Sequence, residues 1–297
     1  MNFETNITAS TPSISSSSML VELGISVWTG RKKDKAASAD VTASNSARAG
    51  VASVNKKLLG DCAELVAVQK FAANVRTSHY AMTMPWSDSG MRLLPTTLYF
   101  KYHQQITSLQ SEFDRLVDKF LEAYDWEVVQ AQAKLGSLFH RDEYPTVESL
   151  RSKFGFRMSY IPLPDAGDWR VDMEREAQDS LRSQYEDFYT KQVEGAMRDI
   201  WSRLHLALQR LITQLNVDDE GKKGKIYTST MENVLQMAEL LEVSNYSKDP
   251  NLTLATQRIF AALEGVDRED LVRNEAFRAD TKNAMQSAID ALPGLGM

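Results

Sequence analysis

Tyr99–Leu135, YFKYHQQITSLQSEFDRLVDKFLEAYDWEVVQAQAKL, is the stretch that decides the fold. Its apolar residues run Tyr99, Tyr102, Ile106, Leu109, Phe113, Leu116, Phe120, Tyr124, Val128, Ala131 and Leu135, in steps of three and four. That spacing places them on one stripe of a single long helix. A second, less regular stripe runs Met173, Ala177, Leu181, Tyr185, Phe188, Gly195, Met197, Ile200, Leu204, Leu208, Leu211 and Leu215. At a rise of 1.5 Å per residue, each helix spans about 55–65 Å. Neither can bury its stripe alone. The expectation is a long antiparallel helical hairpin, 97–217, carrying a tip insertion at 136–171.

Within that insertion, Thr146–Phe154 can form a short helix. Phe156–Leu163 and Trp169–Val171 flank Pro164-Asp165-Ala166-Gly167 and read as a hairpin-like pair. Phe154, Phe156, Tyr160 and Trp169 are the expected exposed aromatics of a protein-contact tip.

Outward from the hairpin, the chain divides by composition. Residues 1–18 form a Ser/Thr-rich segment expected to be a flexible tail. Residues 19–96 form a basic strand/helix domain. Its strand alternates at 19–29, with Val21, Leu23, Ile25 and Val27 facing a core. A weak helix or mobile segment follows at 36–55. A helix follows at 56–80, with Gly60-Asp61 breaking its start. A loop with a short extended piece at Met91–Leu94 closes the domain. Residues 218–227 are a charged linker, and 228–297 a C-terminal helical domain. There, Ser229-x-x-Glu232 has the form of a capping box. The fold class expected is mainly α with minor β.

Composition narrows function mostly by exclusion. The 297 residues are 43% hydrophobic and 25% charged, as in ordinary globular proteins. Cys62 is the single cysteine, so no intrachain disulfide and no cysteine-based zinc site is expected. No stretch approaches the length of an apolar membrane span, and no secretion signal is expected; the compartment expected is the cytoplasm. The four histidines make no H-E-x-x-H pair. Gly221-Lys222-Lys223-Gly224-Lys225 lacks the spacing and the hydroxyl of a phosphate loop. No nucleophile elbow is present, and Cys62 has no evident base nearby in sequence. No catalytic motif, metal site or cofactor follows from these residues.

Charge is uneven. Residues 1–101 carry 11 Lys and Arg against 7 Asp and Glu, and the remainder 23 against 33. Trp28, Arg31, Lys32, Lys33, Arg76, Trp86 and Arg92 in the basic part are candidates for nucleic-acid contact. Cations neutralise phosphates, and an aromatic ring can stack on a base. The alternative for both tryptophans is a core or interface anchor.

At VELGISVWTGRKKDK, KFAANVRTSHYAMTMPWSDSGMRLLP and RSKFGFRMSYIPLP the sequence resembles an uncharacterised domain family of bacteriophages and proteobacteria. The resemblance covers residues about 19 to 215. Some members of that family are encoded near AAA ATPases of the MoxR/CobS kind. The resemblance implies a phage or prophage origin and an AAA ATPase partner, and it assigns no catalytic residue. Two functions are therefore expected in order. The first is a non-enzymatic structural or adaptor protein, acting through protein contacts or self-association. The second is a nucleic-acid-associated protein of phage replication or recombination, using the basic N-terminal domain.

Overall fold

The computed structural model describes residues 14–88, 90–163, 175–217, 223–246 and 248–291. The elements in chain order begin α1 (Ile14–Ser17), β1 (Ser18–Ser26), β2 (Arg31–Asp34), α2 (Lys35–Ser44), β3 (Val54–Lys57) and α3 (Ala63–Ala81). Next come β4 (Met84–Pro85), β5 (Arg92–Pro95), α4 (Tyr99–Leu135), α5 (Val147–Arg151) and β6 (Gly155–Pro162). The chain continues with α6 (Arg175–Leu215), α7 (Thr228–Val243), α8 (Pro250–Leu263), α9 (Arg268–Arg273) and α10 (Glu275–Ala291). The fold is mainly α with minor β, and its two long helices have 37 and 41 residues. No described helix is long and apolar enough to cross a membrane.

The strands form a four-stranded sheet in the order β4-β5-β1-β6 and a separate two-stranded ribbon, β2-β3. β6 lies beside β1, whereas Trp169–Val171, its expected hairpin partner, lies outside the described residues. Two local expectations are corrected. The helix expected from residue 56 starts at Ala63, because 54–57 pair as a strand and Gly60 adopts φ +62° between them. The capping box at Ser229 is not used. α7 starts at Thr228 behind Tyr227, whose side chain makes no cap.

The chain divides into two compact units. One comprises residues 23–77 and 103–158, and the other the remaining residues. The first has a core in which α3 contributes Leu65, Val68 and Ala72, and α4 contributes Phe113, Val117, Phe120, Tyr124, Val128 and Ala131. Burying each such large apolar side chain stabilises by about 1.5–3 kcal/mol. Two tyrosines add polar anchors to this core. The Tyr144 hydroxyl donates to the Leu58 carbonyl at 2.6 Å, and that of Tyr124 to the Pro145 carbonyl at 3.0 Å.

In the other unit, α6 packs against α7 and α10 through its stripe from Ile200 to Leu215. Arginines hold the helix ends. Arg278, 2% exposed, donates to the carbonyls of Gln214, Leu215 and Gly224 at 2.7–2.8 Å. A cation there satisfies the orphan carbonyls that end α6 and complements its dipole. Beyond α3, Arg92 and Arg203 both donate to the Thr83 carbonyl, at 2.8 and 3.0 Å, and Arg203 also donates to the Tyr80 carbonyl in the last turn of the helix.

Candidate nucleic-acid interface

Gly30 starts the site. It sits at φ +63°, and an added Cβ would lie 2.7 Å from a Leu65 methyl. Only glycine meets both conditions, so the chain turns there from β1 into β2. The Gly30 carbonyl accepts a hydrogen bond from the Leu58 amide at 2.8 Å, closing the ribbon's end. β2 and β3 then pair antiparallel, with Arg31 opposite Lys57, Lys32 opposite Lys56, Lys33 opposite Asn55 and Asp34 opposite Val54. At the far end Asp34 caps α2, its carboxylate accepting from the Ala37 amide at 3.0 Å. That hydrogen bond holds the Asp34 carboxyl below its ordinary value.

Residues directly opposite in an antiparallel pair share a face, and neighbours along a strand alternate. One face of the ribbon is therefore Lys32, Lys56, Asp34 and Val54. Lys56 is buried, with its ammonium 2.7 Å from Glu143 and 2.8 Å from the Leu138 carbonyl, to which it donates. Asp34 lies 3.8 Å from that ammonium, and Lys32 lies 3.8 Å from Glu143. The charge on this face is matched inside the unit. The opposite face, Arg31, Lys33, Asn55 and Lys57, is exposed. It carries three cations, of which Lys57 pairs with Asp61 at 3.0 Å. Exposed pairs of this kind contribute little and exchange readily. The unit holding the ribbon carries 16 Lys and Arg against 13 Asp and Glu, while the other unit carries 18 against 27.

The seven basic and aromatic residues singled out from the sequence separate on this geometry. Arg31, Lys32 and Lys33 form β2 with Asp34. Trp28 is half-buried against Phe120 and Tyr124, with ring centroids 6.2 and 6.1 Å away, so it is a core anchor and not an open stacking platform. Trp86, in the other unit, is buried with its ring edge-on to Tyr189 at 5.3 Å. Arg76 donates to the Ile25 carbonyl at 2.8 Å. Arg92 is spent on Thr83 and lies over the Tyr80 ring, 4.8 Å from its centroid.

The expected tip aromatics are also differently used. Phe154 packs on Phe120 and Phe156 on Phe113, each with centroids 5.7 Å apart, and both join the core of their unit. Tyr160 is half-buried against Tyr99 and Tyr102. Trp169 lies outside the described residues. The exposure expected of the first three is reduced to partial exposure because aromatic area is more favourably placed against a core than in water.

Other polar clusters among the described residues offer an anion less. Arg92, Arg203, Asp88 and Asp199 line a cavity of about 300 Å³. Their formal charges cancel, and both guanidiniums are directed at backbone carbonyls. His79, buried with Nδ1 2.7 Å from the Tyr102 hydroxyl, is pushed down to about 4 by burial and stays neutral at pH 7. Cys62, Glu64 and Glu127 bring metal-type donor atoms within 4.8 Å of one another, so the thiol does have carboxylate neighbours. Burial raises the Cys62 thiol above its ordinary value, which keeps it protonated and a poor nucleophile.

Sequence reading passed over two residues of the exposed ribbon face in naming its candidates, Asn55 and Lys57. The register carries the signal for both. The partner Glu143 lies 87 residues from Lys56 in the chain and left no trace in the sequence. No protein-family model matches the chain, and comparisons with curated proteins and with solved structures also give no match.

Proposed function

We propose that this protein binds nucleic acid through the exposed face of the β2-β3 ribbon. The observation that carries the reading is Arg31 lying directly opposite Lys57, with Lys33 one position further along the same face. Like charges opposite each other destabilise a strand pair. A polyanion laid on the face relieves that repulsion and releases counterions as it binds. The inner face is matched with Glu143 and Asp34, so the excess positive charge lies outward, where a phosphate backbone would meet it.

Gel shifts at low salt test the reading. The full-length chain is expected to retard double-stranded DNA, and single strands more weakly. The triple variant Arg31→Glu/Lys33→Glu/Lys57→Glu is expected to retard neither. Equal retardation by the variant would place the contact elsewhere.

A second reading, protein contact, is supported by α4. Trp126 and Val129, three residues apart on that helix, are 64% and 59% exposed. Residues at this spacing share a helix face, and tryptophan is over-represented among the residues that dominate protein interfaces. The resemblance to a family of which some members are encoded near MoxR/CobS-type ATPases makes such an ATPase the first partner to try. Sedimentation at rising concentration, with and without that ATPase, tests it. Trp126→Ser is expected to abolish any association seen. A chain that stays monomeric and unbound throughout removes this reading.

A further inference from the structure

We infer that the ribbon enters the major groove of duplex DNA and reads base edges there with Arg31 and Asn55. The inference rests on the nucleic-acid reading above and adds the kind of nucleic acid and the residues that discriminate sequence.

The exposed face is a two-by-two array. One row is Arg31 and Lys57, the next Lys33 and Asn55. Successive rows on one face are two residues apart, about 7 Å. That matches two base-pair steps of about 3.4 Å each. Paired strands lie about 5 Å apart, and with their side chains they fit a major groove about 12 Å wide.

The side chains suit the two tasks that such binding requires. Arginine pairs bidentately with O6 and N7 of guanine, and asparagine with N6 and N7 of adenine. Arg31 and Asn55 occupy one diagonal of the array. Lys33 and Lys57 occupy the other, and lysine acts as a point charge for phosphate. The inner face is held by Lys56 on Glu143 and on the Leu138 carbonyl, and the strand ends by Gly30 and by the Asp34 cap. A reading face needs such backing to hold its side chains in register.

The same geometry disfavours other nucleic acids. Single strands are gripped largely by stacking on aromatics. Trp28, the aromatic nearest the ribbon in sequence, is packed on Phe120 and Tyr124. The major groove of an RNA duplex is too deep and narrow for side chains to read.

The test uses the full-length chain and three probes of matched sequence: a DNA duplex, an RNA duplex and a DNA single strand. The DNA duplex is expected to bind at least about tenfold more tightly than either other probe. A selection from a random duplex pool then yields a preferred site. Asn55→Ala is expected to lose roughly 5- to 150-fold on that site, the range for one bidentate base contact, while its affinity for random duplex stays within about twofold. Asn55 is exposed, and an unchanged melting curve verifies the variant's fold. Two results overturn the inference and leave the broader reading standing: single strand or RNA binding as well as DNA duplex, or Asn55→Ala keeping the full preference for the selected site. Failure of every probe to bind removes the broader reading itself.

Discussion

At the residue scale, the positions that matter most carry geometric demands that composition does not display. Gly30 has a left-handed backbone and no room for a methyl. Gly30→Ala is expected to lower stability by about 2 kcal/mol, from strain and from the clash with Leu65 together. Urea unfolding measures that loss, and an unchanged midpoint would mean the turn relaxes freely. His79 makes a second residue-scale prediction. Its folded value of about 4 lies below its ordinary 6.5, so the unfolded chain binds the proton more readily. Stability is therefore full near pH 7 and lost as pH falls from about 6.5 toward 4. From pH 7 to 5 the loss attributable to His79 is about 2 kcal/mol. Comparing unfolding at the two pH values, for the parent and for His79→Gln, isolates it. An equal pH dependence in both proteins would assign the effect to other groups.

At the element scale, the ribbon depends on a buried ion pair. Removing one partner of such a pair costs about 3–5 kcal/mol, whereas replacing both with apolar groups is often neutral. Lys56→Met is accordingly expected to destabilise by about 3 kcal/mol, because Glu143 and Asp34 stay behind. Lys56→Met/Glu143→Leu is expected to recover most of that loss. A double-mutant cycle reads the coupling, and additive losses would show that the pair is not coupled.

Elements were legible in the sequence where one periodicity ran long. α4 spans Tyr99–Leu135, the bounds its apolar steps imply. The stretch after Gly30 was harder to read. Arg31-Lys32-Lys33-Asp34 has no apolar alternation, because the inward side chain of its partner strand is Lys56, whose charge is matched at a distance in sequence. A strand held in place through ion pairs looks like a charge run.

At the scale of the whole molecule, charge rather than shape bears on function. The chain has a net charge of −6, yet the unit holding the ribbon has a surplus of cations. This surplus was partly visible as a basic N-terminal third. Its division was not, because each unit is assembled from separated segments. The aromatic half of the candidate site stayed open in the sequence for a physical reason. A tryptophan beside a basic run can serve solvent or core equally well, and only packing decides; here Trp28 met Phe120 and Tyr124. If the ribbon is the contact, ultraviolet crosslinking of a bound duplex should map to peptides within 31–57, and crosslinks concentrated in 228–291 would argue against it.

The salt dependence of duplex binding, read by fluorescence anisotropy between about 50 and 200 mM salt, reports on the ribbon contact itself. Two phosphates neutralised by Lys33 and Lys57 predict a loss of affinity of roughly 10-fold across that range. The Arg31→Glu/Lys33→Glu/Lys57→Glu variant should show no binding at either end. An affinity indifferent to salt, or one the triple variant retains, would mean that the ribbon does not hold the phosphates.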